Sequence, residues 1–115
     1  MNAPTLNWFR ACLESEIPKR GAVRVQHGKL QIAIFKTASN ELYALEDKCP
    51  HKGGPLSDGI VHDNCVTCPL HNWDISLETG KALGADQGQT EHFRLRLEDG
   101  VVMLCIDETQ SDLSL

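Results

Sequence analysis

The stretch Cys49-Pro-His-Lys-Gly-Gly-Pro-Leu-Ser-Asp-Gly-Ile-Val-His-Asp-Asn-Cys-Val-Thr-Cys-Pro-Leu-His71 decides how the rest of the chain is read. It holds two short loops, Cys49-Pro50-His51 and Cys68-Pro69-Leu70-His71, each offering one thiolate and one imidazole. A proline follows each of the two loop cysteines. It fixes φ and removes a backbone donor, so each loop loses less entropy when it closes on a ligand. Gly53, Gly54 and Pro55 allow the first loop to turn sharply.

The pattern C-x-H-x16-C-x-x-H fits two kinds of centre. Zinc accepts two cysteines and two histidines, but usually with the cysteines in one knuckle and the histidines in another. Mixed Cys/His pairs separated by a long spacer fit a [2Fe–2S] cluster with two imidazole ligands. The charge count explains what histidine would do there. Four thiolates leave an oxidised cluster dianionic, whereas two thiolates and two neutral imidazoles leave it neutral. Adding an electron to a neutral site costs less electrostatic work, so the potential rises. Such sites span about −150 to +300 mV, against about −400 mV for plant-type ferredoxins. Nothing near the loops pairs a nucleophile with a base, so one-electron transfer is expected here rather than chemistry on a substrate.

Outward from the loops, the chain reads as short strands. Ala22–Gln26 and Leu30–Lys36 alternate apolar and polar residues across His27-Gly28-Lys29, a hairpin signature. Glu41–Leu45 is a third strand leading into the first loop, and residues 59–62 and 65–67 form a small hairpin that delivers Cys68. Trp73–Leu77 alternates, and residues 81–91 read as a long loop. His92–Leu97 and Val101–Ile106 form the clearest hairpin. Asn7–Ala11 is expected as a short edge strand, Leu13–Arg20 as a loop and Asp107–Leu115 as a flexible acidic tail. No long helical period or internal repeat is present. The expectation is one all-β domain over residues 1–115, an antiparallel sandwich with ligand loops inserted at about 47–75.

Bulk properties narrow the partners. The 115 residues carry a net charge of −5, which disfavours nucleic acid and anionic membranes. No run approaches the ~20 apolar residues of a membrane span, and Met1–Arg20 lacks the apolar core of a secretory leader. A cytoplasmic location is therefore expected. There the five cysteines would be ligands or thiols. Cys12, Cys65 and Cys105 read as small buried hydrophobes, and His27, His62 and His92 as solvated. Trp73 is expected to pack beside the second loop, and the acidic residues suggest no binding site.

The two boxes, Cys49-Pro-His51 and Cys68-Pro-Leu-His71, resemble those of the Rieske family. The resemblance implies a three-sheet all-β fold, with Cys49 and Cys68 on an inner iron and His51 and His71 on an outer, more exposed one. Respiratory members carry an extra cysteine in each box. Here those places hold Gly54 and Leu70, so no disulfide is implied. Hydroxyl donors that follow the second histidine in those members are replaced by Trp73 and Ile75, which implies a potential near the low end of the range. A finer likeness joins residues 49–61, 68–73 and 77–86 to the small subunit of NAD(P)H-dependent assimilatory nitrite reductase. In that enzyme a large subunit carries FAD, a [4Fe–4S] cluster and sirohaem, and reduces nitrite to ammonium. Two alternatives stand beside it: a Rieske ferredoxin of a ring-hydroxylating dioxygenase, and a scaffold subunit with an empty site.

Overall fold

A computed structural model describes residues 6–50, 53–69, 72–83 and 88–107. The described strands are β1 (Leu6–Leu13), β2 (Gly21–His27), β3 (Leu30–Lys36), β4 (Leu42–Glu46), β5 (Ile60–His62), β6 (Cys65–Thr67), β7 (Asp74–Ser76), β8 (His92–Glu98) and β9 (Val101–Asp107). They form a six-stranded sheet in the order β1-β9-β8-β4-β3-β2 and a three-stranded sheet in the order β5-β6-β7. Every strand pairing is antiparallel.

The larger sheet curls over on itself. Strands β4 and β8 share only two residue pairs, Ala44 with Phe93 and Leu45 with His92, and the sheet bends there. In a flat sheet β1 and β2 would lie five spacings, roughly 24 Å, apart. Instead the rings of Phe9 on β1 and His27 on β2 stack with centroids 4.2 Å apart. A further link runs from Lys36, whose Nζ pairs with Glu14 Oε2 at 2.7 Å and donates to the Glu14 carbonyl at 3.0 Å.

Three layers result, and β3 lies in the middle one. Its Ile32 and Ile34 point into one core with Phe93, Val102, Leu104 and Ile106. Its Ala33 and Phe35 point the other way, into a second core with Val61, Val66, Ile75 and Leu77 of the small sheet and its flank. A strand buried on both faces loses the polar alternation of a surface strand, which explains the near-continuous apolar run Ile32–Phe35.

The sequence reading places most strands within a residue or two. Strand β1 is longer than expected and carries an irregularity between Arg10 and Cys12 that shifts its register on β9. The expected loop Leu13–Arg20 contains a 3-10 turn at Glu14–Glu16, and Ile17 within it is buried in the core. The strand expected at Trp73–Leu77 is shorter, and two isolated bridges, Ile75 with Ala82 and Lys81 with Gln89, extend the pairing into the expected loop. The tail beyond Asp107 lies outside the described residues.

Candidate metal centre

The cysteines of both ligand loops lie in the second core. Cys49 follows β4 and Cys68 follows β6. Both are almost fully buried, at 2% and 1% exposure, and both belong to the cluster of Phe35, Leu56, Val66 and Ile75. The paired histidines, His51 and His71, lie outside the described residues, as do Lys52 and Leu70.

The loops are closed in the same way. The Cys49 amide donates to the Gly54 carbonyl at 2.8 Å, and the Gly53 amide donates back to the Cys49 carbonyl at 2.8 Å. In the second loop the Cys68 amide donates to the Trp73 carbonyl at 2.7 Å, and the Asn72 amide returns to the Cys68 carbonyl at 3.1 Å. Each closure ends on a residue with positive φ four places after the cysteine, Gly53 at 74° and Asn72 at 58°. Glycine and asparagine are the residues that tolerate that conformation best. One closure therefore serves both boxes, although the histidine sits two places after the cysteine in the first and three in the second.

A buried carboxylate anchors the first loop. The Asp47 side chain is 1% exposed. It accepts from the Ser57 amide and the Ser57 hydroxyl, both at 2.7 Å. Arg24 of β2 completes the group: its Nε donates to Ser57 Oγ at 2.6 Å and lies 3.4 Å from Asp47, and its terminal nitrogen pairs with Asp58 at 2.8 Å. Asp47 and Ser57 thus pin both ends of the segment that carries Cys49 and His51. Sequence reasoning missed this, because Glu46-Asp47-Lys48 looks like ordinary solvated charge.

The second loop is supported from its own sheet. His62 Nε2 lies 2.7 Å from Thr67 Oγ1, and the Thr67 hydroxyl donates to Asp74 Oδ1 at 2.6 Å. Those bonds tie β5, β6 and β7 together on either side of Cys68. His62 is therefore half-buried and hydrogen-bonded rather than solvated, and His27 is likewise engaged, on Phe9. His92 is exposed, as expected. Trp73 packs against the second core, again as expected, and Ile75 lies fully within it.

No disulfide joins cysteines among the described residues. Cys105 is buried, but Cys12 and Cys65 are only half-buried, which corrects the expectation for those two. Burial raises the Cys65 thiol pKa, helped by the Asp74 and Asp63 carboxylates. Burial also raises that of Cys12, with Glu16 adding to the shift and Lys36 opposing it. A raised pKa means less thiolate at a given pH, and the thiolate is the reactive form. In the cluster-loaded protein, alkylation by iodoacetamide should therefore be slow at pH 8 and accelerate only at more alkaline pH. Rapid modification of Cys65 at pH 7 would contradict that environment.

The donor chemistry fits an iron–sulfur centre. Two buried cysteine sulfurs on pre-closed loops suit soft thiolate ligation, and the apolar wall of Phe35, Leu56 and Ile75 keeps water from that side. Among the described residues no group of three or more His, Cys, Asp or Glu side chains is placed to hold a metal ion, and no helix is long and apolar enough to cross a membrane.

Comparison with known proteins agrees with this chemistry. Residues 7–105 match the family described as the Rieske-like [2Fe-2S] domain. The chain is 36% identical over 94 residues to the 4beta-methylsterol monooxygenase of Methylococcus capsulatus, covering 77% of this chain but only 26% of that protein. It is 34% identical to the 3-phenylpropionate/cinnamic acid dioxygenase ferredoxin subunit of Photorhabdus laumondii, covering 86% of this chain and 94% of that one. Among solved structures, the fold is shared with a Mycobacterium tuberculosis protein assigned as an NADH-dependent nitrite reductase small subunit. The TM-score is 0.80 at 22% identity, covering 89% of this chain and 96% of that one. Escherichia coli NirD superimposes with a TM-score of 0.78 at 26% identity, covering 89% of this chain and 98% of that one.

Proposed function

The chain belongs to the Rieske-like [2Fe-2S] domain family, and from that membership we propose that it is the electron-transfer small subunit of an NAD(P)H-dependent nitrite reductase. Family membership gives it a [2Fe–2S] cluster and a role in electron transfer. When bound, the cluster supplies a one-electron couple. In this reading Cys49 and Cys68 hold the inner iron, and His51 and His71 the outer one. The chain's own contribution is to keep the two boxes closed, through the Asp47–Ser57–Arg24 group and the paired loop hydrogen bonds.

The observation that carries the nitrite reductase reading is the pair Asn72-Trp73. Asn72 closes the second box at positive φ, and Trp73 lies on the second core beside it. Together with the runs 49–61 and 77–86, that pair resembles the nitrite reductase small subunit more than a dioxygenase ferredoxin. Nitrite reduction itself would belong to the large subunit with its FAD, [4Fe–4S] cluster and sirohaem. A cytoplasmic location accompanies this reading.

A second reading is favoured by a separate observation. The 34% identity to a dioxygenase ferredoxin subunit covers 94% of that protein, which supports a ferredoxin that serves a ring-hydroxylating oxygenase. Reconstitution separates the two. The loaded chain should restore NAD(P)H-dependent nitrite reduction to the sirohaem-containing large subunit and should fail to support a terminal oxygenase. The reverse pattern would replace the first reading with the second.

The potential provides a further check. No hydroxyl side chain stands at position 73 or 75, and Ile75 is fully buried. Without such donors to the cluster, protein-film voltammetry should give a midpoint toward the low end of the range, near about −150 mV. A midpoint well above zero would refute this account of the second box.

A further inference from the structure

The outer layer of the fold has an unusual face. Trp8 on β1 stands opposite Cys105 on β9, which stands opposite Arg94 on β8. In the next row of that face Arg10, Met103 and Arg96 are aligned in the same way. The alternate residues Phe9, Leu95 and Leu104 point into the core. Trp8, Arg10, Met103, Arg94 and Arg96 therefore share the opposite, outward surface.

Three of the five arginines in a chain of net charge −5 lie on this one face. The Arg96 guanidinium carbon sits 4.1 Å from the centroid of the Trp8 ring, and its Nε pairs with Glu98 at 2.6 Å. Arg10 and Arg94 are exposed and have no ion pair among the described residues. At the end of the same face Leu13 remains 45% exposed. Tryptophan, methionine and arginine are the residue types enriched where proteins bind one another, and lysine is depleted there. No lysine stands on these rows.

The face also lies away from the ligand loops. The core with Ile32 and Ile34 separates it from β3, and the core with Phe35 separates β3 from the small sheet. A partner seated on Trp8 and the arginines would leave the Cys49 and Cys68 side free.

We propose that the outer face of β1, β9 and β8 is the surface by which this chain is held to its large subunit, and that it fits a carboxylate-rich patch on that protein. Arginine forks match carboxylates in a bidentate geometry, and the Trp8–Met103 strip supplies apolar area between them. The net negative charge of the chain weighs against a polyanionic nucleic acid or a lipid surface as occupant. The inference rests on the reading of this chain as a reductase subunit.

The test is titration of the loaded, full-length chain against the purified sirohaem-containing large subunit, and separately against a terminal oxygenase, at low and high salt. The double variant R10E/R94E should bind the large subunit about tenfold or more weakly than wild type, and its remaining affinity should depend less on salt. K81E, at an exposed lysine beside the small sheet, should bind as wild type does. Cluster absorbance and the thermal midpoint, measured on each variant, confirm the fold. Wild-type affinity in R10E/R94E overturns the proposal, as does arginine-dependent binding to phosphatidylserine vesicles or duplex DNA. If wild type binds the oxygenase rather than the large subunit, the nitrite reductase reading falls, and the same two variants titrated against the oxygenase decide the face. Binding to neither overturns both.

Discussion

Replacing Cys68 with serine is expected to abolish cluster binding. The thiolate of a cysteine is the ligand, and a serine hydroxyl does not ionise to replace it at neutral pH. Cys68 is also 1% exposed, so the new hydroxyl would be buried beside Val66 and Ile75 and cost about 1–3 kcal/mol if left unpaired. Iron and acid-labile sulfide should fall to background, and the visible absorbance and the EPR signal of the reduced protein should disappear. The far-ultraviolet circular dichroism should persist, because the core of Ile32, Ile34, Leu104 and Ile106 is built without the cluster. His71→Ala should also lose the cluster, and His71→Cys should retain one of lower potential, since a thiolate returns negative charge to the site. A wild-type visible spectrum in Cys68→Ser or His71→Ala would show the ligand assignment to be wrong.

The second large effect is expected at Asp47. Asp47→Ala removes the acceptor for the Ser57 amide and hydroxyl and the nearest carboxylate to Arg24 Nε. Hydrogen bonds to a charged acceptor contribute about 1.5–3 kcal/mol each, and the donors left behind are only partly hydrated. A loss of roughly 3 kcal/mol is expected, which for a domain of this size lowers the thermal midpoint by roughly 10–20 °C. Arg24→Ala should cost far less, about 0.5–1 kcal/mol, because the arginine side chain is 47% exposed and its ion pairs are screened. Differential scanning calorimetry of the two variants measures the contrast. Equal destabilisation would mean that the buried carboxylate is not the anchor. Cluster release during dialysis against chelator should also be faster in Asp47→Ala, since one end of the first box is then untied.

Much of this was legible in the sequence for a local reason. The hairpins at 22–36 and 92–106 alternate with period two, and that period records which face of each strand meets a core. The matching Cys-Pro pairs foreshadowed that Cys49 and Cys68 share one buried cluster. What the sequence hid was long-range. The curl that brings Phe9 onto His27 joins strands 18 residues apart and leaves no local pattern. The burial of Asp47 depends on Ser57, ten residues away, and on Arg24 from another strand. Cys12 and Cys65 were expected to be buried because cysteine usually is. They lie instead at positions where a strand end and a register irregularity admit solvent.

The stacked rings of Phe9 and His27 have a colloidal consequence. An open sheet of six strands would offer two unpaired borders, each a template on which another chain could add a strand. Here the curl brings β1 and β2, the two border strands, together around their own core. Each border is then partly shielded by the other, which leaves less of it open for a foreign strand to pair with.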